Sequence, residues 1–261
     1  MTYETLDIRT DDRGVLRLTL NRPDKHNSMN SQLITDMRSA LAKISADTSV
    51  RVVVLTGAGE SFCAGGDLGW MKSQVAKTRG ERIAETRELA LMLNDINSLN
   101  KPVIGRVNGQ AFGGGIGMIS VCDMTYGARG AKFALTEVRL GLIAATISPF
   151  VVRRMGEANA RRVMLNCRFF DTDEAVALGL ISEAVDPADL DAAVDAEVAR
   201  ILDCAPGAVA MTKALIHFVA NHWGEDNVGY TADRLADCWE TDEGKEGITC
   251  FLEKRKPSWR A

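Results

Sequence analysis

The fold of this chain is decided by the stretch GAGESFCAGGD, residues 57–67, which directly follows the apolar run Val52–Leu55. A second stretch of the same kind, NGQAFGGGIG at residues 108–117, follows a strand-like run at 103–107, about 50 residues further on. A buried strand that ends in glycines and then enters a helix leaves backbone N–H groups without acceptors at the helix start. Two such turns aimed at one point would form an oxyanion hole, which implies acyl chemistry.

The segments around these turns predict an α/β protein. Residues 3–9 and 15–20 alternate polar and apolar side chains on either side of a short polar turn, a pattern typical of a β-hairpin. The strand, glycine turn and helix that follow occur twice, which favours an α/β core. We therefore assign residues 1–189 to a core that carries the acyl site.

The last quarter of the chain shows helical periodicity and no strand signal. Two apolar stripes are predicted here, one at Leu190, Val194, Val198, Ile201 and Leu202 and one at Val209, Leu215, Ile216 and Val219. We expect residues 190–261 to form a helical region for oligomerisation, whose apolar faces are buried against another subunit.

Composition excludes several classes of function. The 261 residues are 46% hydrophobic and carry a net charge of -4, so no overall basic field points to nucleic acid. The six cysteines are widely spaced without a C-x-x-C pair, so neither a zinc site nor a disulfide framework is expected, and reduced thiols suit a cytoplasmic protein. No apolar run of about 18 residues predicts a membrane span, and no targeting segment is recognised.

Familiar cofactor and nucleophile motifs fail in this sequence. Neither glycine stretch has the G-x-G-x-x-G spacing of a dinucleotide site, and neither has the lysine of a P-loop. Residues 59–63 lack the last glycine of a hydrolase elbow, and His217 and His222 are five residues apart, not four. We therefore expect no metal and no redox cofactor. Glu137, in an apolar surrounding, remains as a candidate acid/base, because burial would raise its pKa toward neutrality.

The sequence resembles the enoyl-CoA hydratase/isomerase (crotonase) family over nearly its whole length. The resemblance is carried by these stretches: 20–23 (LNRP), 62–68 (FCAGGDL), 102–104 (PVI), 108–109 (NG), 112–115 (FGGG), 122–123 (CD), 137–141 (EVRLG), 177–180 (ALGL) and 251–255 (FLEKR). The resemblance implies a spiral of β-β-α repeats with a C-terminal helical trimerisation region, and trimers that pair into hexamers. It also implies an acyl-CoA thioester substrate, so that coenzyme A enters only as part of the substrate.

The same resemblance assigns roles to individual residues. The backbone N–H groups of Gly66 and Gly114 would hold the thioester oxygen, and Glu137 would be the catalytic acid/base. An enolate forms when C2 gains or loses a proton, and fixed amide donors bind it better than the neutral thioester. Coenzyme A and the acyl group would contact Lys25, Ala64, Gly65, Asp67, Leu68 and Gly117, with Phe251 and Lys254 supplied by the neighbouring subunit.

Two departures from the family pattern concern the substrate. Typical hydratases carry a second glutamate three residues after the middle glycine of the triplet, where this chain has Gly117. The Ile147-Ser148-Pro149 segment and the run 66–71 (GDLGWM) look like bacterial methylglutaconyl-CoA hydratases of leucine breakdown, and like their relatives that hydrate an isohexenyl-glutaconyl-CoA. Glycine at 117 would leave room and remove a charge near the free carboxylate of such a substrate.

Three functions therefore stay open on the sequence. The first is hydration of a 2-enoyl-CoA, with 3-methylglutaconyl-CoA as the best single guess. The second is isomerisation of a 3-enoyl-CoA to a 2-enoyl-CoA, which needs only one glutamate. The third is a non-catalytic scaffold, which Glu137 and both glycine turns argue against.

Overall fold

The structure is a computed structural model that describes residues 2–260. The strands are β1 (Leu6–Thr10), β2 (Val15–Leu20), β3 (Val52–Gly57), β4 (Ser61–Cys63), β5 (Val103–Val107), β6 (Gln110–Phe112), β7 (Met124–Ala128), β8 (Lys132–Ala134), β9 (Phe170–Asp171) and β10 (Glu183–Val185). The helices are α1 (Ser31–Ala46), α2 (Leu68–Ala76), α3 (Arg79–Asn97), α4 (Gly114–Ser120), α5 (Ser148–Met155), α6 (Glu157–Met164), α7 (Thr172–Ala177), α8 (Leu190–Leu202), α9 (Pro206–Val219), α10 (Glu225–Glu240) and α11 (Asp242–Glu253). Short 3-10 helices span Pro23–Lys25, Glu137–Leu140, Pro187–Asp189 and Ser258–Arg260.

The strands form two sheets, and from β3 to β8 successive strands belong to the two sheets in turn. The larger sheet has the order β1-β2-β3-β5-β7-β10, and the smaller one has the order β4-β6-β8-β9. Only β1 pairs antiparallel within the larger sheet, as the predicted hairpin requires, although its strand begins at Leu6. Consecutive strand pairs (β3 and β4, β5 and β6, β7 and β8) each place one strand in each sheet. This alternation confirms the predicted spiral of β-β-α repeats.

The continuous apolar run of β3 is explained by burial on both faces of the larger sheet. Val53 and Leu55 face the main core, whereas Val52 and Val54 face a second core. That second core also contains Leu190, Val194 and Val198 of α8. The expectation that this stripe faces another subunit is therefore wrong for α8, because the chain's own sheet buries it.

The remaining C-terminal helices differ from α8 in their exposure. On α9, α10 and α11, large apolar side chains are more than half exposed: Ile216, Val228, Leu235, Trp239, Phe251 and Leu252. The boundary predicted at residue 190 stays a prediction, as does the use of these helices in oligomerisation.

No single helix within residues 2–260 is long and apolar enough to cross a membrane. The segments Pro187–Leu202 and Pro206–Val219 meet that test only as a pair, and they are bent by 103° relative to each other.

Candidate active site

The first glycine turn connects β4 to α2 and comes into direct contact with the second turn. Gly65 has a φ of +90°, a conformation that side-chain-bearing residues rarely adopt. A Cβ atom on Gly65 would lie 2.8 Å from the carbonyl oxygen of Phe112 and 3.8 Å from the backbone nitrogen of Gly114. Only glycine allows this approach, which brings the turns at 57–67 and 108–117 together as predicted.

Gly66 lies at the centre of a short backbone pairing with Met29. The pairing uses the carbonyl of Gly65, which accepts from the Met29 N–H at 2.7 Å, and the N–H of Asp67, which donates to the Met29 carbonyl at 2.9 Å. The N–H of Gly66 takes no part in this pairing. A Cβ on Gly66 would lie 3.5 Å from Met71 Cγ and 3.8 Å from Trp70 Cε3, so these two side chains border the space beside Gly66.

The second glycine turn leads from β6 into α4. Gly113 precedes the helix with a φ of +47° and a ψ of -115°. Gly114 is the first residue of α4, so its N–H belongs to the group that has no acceptor within the helix. The two N–H groups predicted to form the oxyanion hole thus belong to neighbouring turns.

Glu137 lies against the second glycine turn. A Cβ on Gly113 would be 2.8 Å from Glu137 Oε1, so the carboxylate occupies the space that only a glycine leaves open. Glu137 Oε2 is buried and has no hydrogen-bond partner among residues 2–260. Burial raises the pKa of Glu137, and the hydrogen bond from its own backbone N–H opposes that shift only in part. A raised pKa favours a carboxyl group that must both accept and donate a proton during catalysis.

The position of Gly117 differs from the sequence-based expectation. A Cβ on Gly117 would lie 2.4 Å from Ile147 Cγ2 and 2.9 Å from Ile147 Cβ. The expectation that glycine leaves room here is wrong, because the buried side chain of Ile147 fills the space. The site therefore has an apolar side chain near the place where typical hydratases carry a second carboxylate. A direct contact of Gly117 with substrate stays a prediction.

The residues predicted to bind coenzyme A and the acyl group surround the first turn. Lys25 ends the exposed Pro23–Lys25 helix, and the N–H of Ala64 donates to the carbonyl of His26. Leu68 is 80% exposed at the start of α2, which leaves its side chain free to contact a ligand. Asp67 has a structural role, since its Oδ1 accepts from the N–H groups that begin α2 and its Oδ2 pairs with Arg22. Binding of substrate by these residues stays a prediction.

The two residues expected from a neighbouring subunit lie far along the chain. Phe251 is exposed on α11, and Lys254 ends that helix with a left-handed φ of +56°. One chain alone cannot bring a partner's residues to the site, so this contribution remains an expectation. Within the described range 2–260, no group of three or more His, Cys, Asp or Glu side chains is arranged to hold a metal ion.

Sequence reasoning missed three residues that shape the site. Ile147 covers Gly117, Met29 contacts both glycine turns, and Arg22 pairs with Asp67. Arg22 lies in a motif that carries the family resemblance, and Ile147 lies in a segment that departs from the family pattern, but neither pattern says which distant residue a side chain contacts. No sequence pattern marks Met29 as part of the site; its one recognisable feature is that it directly precedes Asn30, the N-cap of α1.

Comparisons with known proteins agree on one family. The sequence profile of the enoyl-CoA hydratase/isomerase family matches residues 10–261. The crotonyl-CoA hydratase of Syntrophomonas wolfei is 30% identical over 261 residues, covering 99% of each chain. The (E)-benzylidenesuccinyl-CoA hydratase of Thauera aromatica is 32% identical, covering 94% of this chain and 95% of that one. The crystal structure of an enoyl-CoA hydratase from Shewanella pealeana superimposes with a TM-score of 0.95 at 34% identity, covering 99% and 97% of the two chains.

The fold, together with the buried Glu137 carboxylate beside the second glycine turn, defines an acyl-CoA enzyme of the crotonase fold. The chain belongs to the enoyl-CoA hydratase/isomerase family, and its activity is of the enoyl-CoA hydratase type.

Proposed function

We propose that the protein adds water to a 2-enoyl-CoA thioester with Glu137 as its single acid/base. The observation that carries the proposal is the buried, unpaired Oε2 of Glu137 (among residues 2–260), whose carboxylate lies against the turn that contains Gly114. The N–H groups of Gly66 and Gly114 hold the thioester oxygen.

The reaction takes two proton transfers through one carboxyl group. The Glu137 carboxylate accepts a proton from water while the water oxygen bonds to C3. The C2–C3 π electrons move toward C1, and the thioester carbonyl becomes an enolate oxygen that the two backbone donors stabilise. The Glu137 carboxylic acid then returns its proton to C2, so the product is the 3-hydroxyacyl thioester and the enzyme regains its starting state.

The substrate is proposed to be a branched 2-enoyl-CoA with a free carboxylate at its far end, with 3-methylglutaconyl-CoA as the best single candidate. A glutamate at position 117 would add a second buried carboxylate. If it lay about 4 Å from the free carboxylate of the substrate, their repulsion would oppose binding by about 4 kcal/mol at an effective dielectric of 20. Here position 117 carries no charge, and the buried side chain of Ile147 packs against it. One relative's name, (E)-benzylidenesuccinyl-CoA hydratase, includes a succinyl group and hence a dicarboxylic acyl chain. With this substrate the enzyme would act in leucine degradation, and a cytoplasmic location stays a prediction.

The substrate proposal is tested by comparing two thioesters. We expect kcat/KM for hydration of 3-methylglutaconyl-CoA to exceed that for crotonyl-CoA. A glutamate at position 117 collides with Ile147 Cβ, so the charge is restored in the double variant Gly117→Glu with Ile147→Gly. Ile147→Gly alone is the matched control, and circular dichroism establishes that both are folded. The ratio of kcat/KM for 3-methylglutaconyl-CoA to that for crotonyl-CoA should be lower in the double variant than in Ile147→Gly, or should fall below one. A wild-type preference for crotonyl-CoA would refute the charge argument.

Isomerisation is the second candidate function, because one carboxyl group is enough to move a proton between C4 and C2. The filled position beside Gly117 favours it, since no second carboxylate is placed there to anchor water. Mass spectrometry separates the two reactions, because hydration adds one water to the thioester and isomerisation leaves its mass unchanged. Conversion of a 3-enoyl-CoA to its 2-enoyl isomer, with no water uptake by either 2-enoyl-CoA, would replace the hydratase proposal.

Binding of coenzyme A thioesters can be measured without turnover. We propose that Lys25, the segment 64–68 and a partner subunit's helix α11 hold the coenzyme A moiety. Calorimetry with acetyl-CoA in the presence of a chelator should show binding. Absence of binding to any acyl-CoA would contradict the proposed substrate class.

A further inference from the structure

Met29 touches both glycine turns of the candidate oxyanion hole. Its main chain forms two hydrogen bonds, of 2.7 Å and 2.9 Å, on either side of Gly66. Its side chain lies on the other turn, because a Cβ on Gly114 would be only 1.9 Å from Met29 Cε. Met29 is 4% exposed, so its position is set by packing on all sides. Met29 thus bridges the two segments that carry Gly66 and Gly114.

Arg22 holds the segment that ends in Met29. Its guanidinium group donates through Nη1 to the carbonyl of Ser28 and through Nη2 to Asp67 Oδ2 at 3.0 Å. The side chains of Arg22 and Asp67 are each only 16% exposed, so solvent screens their interaction weakly. The planar guanidinium therefore ties the residue before Met29 to the residue after Gly66 in one fixed geometry.

Asp67 also caps the N-terminus of α2. Its Oδ1 accepts hydrogen bonds from the N–H groups of Gly69 at 2.8 Å and Trp70 at 3.1 Å. The same carboxylate therefore caps the helix that follows Gly66 and binds Arg22. Hydrogen bonds hold both neighbours of Gly66 in place: Gly65 through Met29, and Asp67 through Met29 and Arg22. The plane of the Gly66 peptide therefore has little freedom to rotate.

We propose that Arg22 is a positioning residue that sets the direction and spacing of the Gly66 N–H relative to the Gly114 N–H. This inference rests on the proposed function, in which those two groups bind the thioester oxygen. An oxyanion donor is effective only when it lies about 2.7–3.1 Å from the developing charge. A small displacement of Gly66 would weaken one of the two hydrogen bonds without removing the site.

The test uses Arg22→Met, with Arg106→Met as the matched control. Arg106 is also 16% exposed and paired with an aspartate, Asp191, but its pair lies on the larger sheet and helix α8. The first readout is the infrared carbonyl stretch of carbonyl-labelled acetyl-CoA, which this enzyme cannot hydrate because it has no carbon–carbon double bond. Two hydrogen bonds to the thioester oxygen lower that stretching frequency on binding.

We expect the wild type and Arg106→Met to show the full frequency shift and Arg22→Met to show a smaller one. With the enoyl substrate, kcat of Arg22→Met should fall about 10- to 100-fold while KM and acetyl-CoA affinity change little. Arg22→Lys keeps the positive charge but loses the two parallel N–H donors of the guanidinium group. It should therefore not restore the full shift of the carbonyl frequency. If Arg22→Met does not fold, Asp67→Asn retains an acceptor for the α2 cap and should lose part of the shift.

The outcomes separate the two proposals. A full shift and normal kcat in folded Arg22→Met would overturn the positioning role and leave the oxyanion hole intact. Absence of any shift in the wild type would show that Gly66 and Gly114 do not bind the thioester oxygen, which overturns both proposals.

Discussion

The environment of Glu137 differs from that of a carboxylate with a structural role. Its Oε2 atom is buried without a hydrogen-bond partner within residues 2–260, and its pKa is raised by that burial. A structural carboxylate would instead be paired, as Asp67 is with Arg22. Burying a carboxyl group without a partner lowers the stability of the fold. That arrangement is typical of a carboxyl group whose function is to exchange a proton.

Glu137→Gln should lower turnover by about 10²-fold or more, because the amide keeps the size of the side chain but cannot exchange a proton. Affinity for acetyl-CoA should change little, so the loss should appear in kcat. Steady-state kinetics and calorimetry measure the two effects. Glu157→Gln, on the exposed first turn of α6, is the control and should behave as wild type. Near-normal turnover of Glu137→Gln would show that another group is the acid/base.

The raised pKa of Glu137 also predicts how stability depends on pH. The folded protein binds this proton more tightly than the unfolded chain does. The resulting stabilisation is fully present below the unfolded pKa and is lost as pH rises through the folded pKa. The free energy of unfolding of the wild type should therefore fall relative to that of Glu137→Gln between acidic and neutral pH. Denaturant titrations across that range test this, and parallel curves for the two proteins would contradict it.

Gly113 tests the contact between the second turn and the carboxylate. Gly113→Ala should cost about 1–3 kcal/mol, because residues with a side chain rarely adopt a φ of +47° with a ψ of -115°, and it should also displace Glu137, whose Oε1 lies 2.8 Å from the added Cβ. Gly130→Ala is the matched control, because Gly130 also has a positive φ but has nothing within 4 Å of an added Cβ. Both variants should lose stability in chemical denaturation, but only Gly113→Ala should lose activity. Equal activity in the two variants would contradict the contact.

Among the secondary-structure elements, helix α9 is joined to the larger sheet by a partly buried ion pair. Lys213 Nζ donates to Asp123 Oδ2 at 2.7 Å and to the carbonyl of Lys101 at 3.1 Å. The same Asp123 oxygen accepts from the N–H of Val103, the first residue of β5. The pair thus links α9 to the starts of two strands whose opposite ends lead toward the site.

Lys213→Met should destabilise the protein by about 2 kcal/mol, because it removes the charged hydrogen bond to the partly buried Asp123 carboxylate while keeping the apolar stem. Lys72→Met, on the exposed side of α2, is the control and should change stability by less than about 0.5 kcal/mol. Chemical denaturation measures both. An unchanged midpoint for Lys213→Met would show that α9 is held by its apolar contacts alone.

For the whole molecule, the unequal exposure of the C-terminal helices is the main clue to assembly. The apolar stripe of α8 is buried on the chain's own sheet, whereas α9 to α11 expose several large side chains. Leu235 and Trp239 on α10 are each about 60% exposed, although they stand one turn apart on the same helix face. Such a surface is typical of a subunit interface.

The protein should therefore be a trimer or a hexamer in solution. Light scattering at micromolar concentration should give a mass of about three or six times 28.3 kDa. Leu235→Asp should shift the mass toward the monomer, and Leu165→Asp, at an exposed position just after α6, should not. A stable 28.3 kDa wild-type monomer would contradict both the interface and a coenzyme A site completed by a partner.

The sequence by itself determined the features that depend on local chemistry. A glycine with positive φ, such as Gly65 or Gly113, is required by backbone sterics, so the glycine runs alone locate the two turns. The apolar run of β3 showed that both faces of its strand are buried. The motifs around these turns, together with Glu137, indicated the family.

Only the tertiary structure decided which residues meet across the chain. Periodicity shows that the α8 face is buried, but it cannot say whether the partner is the chain's own sheet or another subunit. Likewise, glycine at 117 shows that no side chain is present, but not that Ile147 fills the space. The Arg22–Asp67 pair joins residues 45 positions apart, and Met29 lies between turns that are widely separated in sequence. Such contacts depend on how elements pack in three dimensions, because side-chain shape and distance are properties of the folded core rather than of any local pattern.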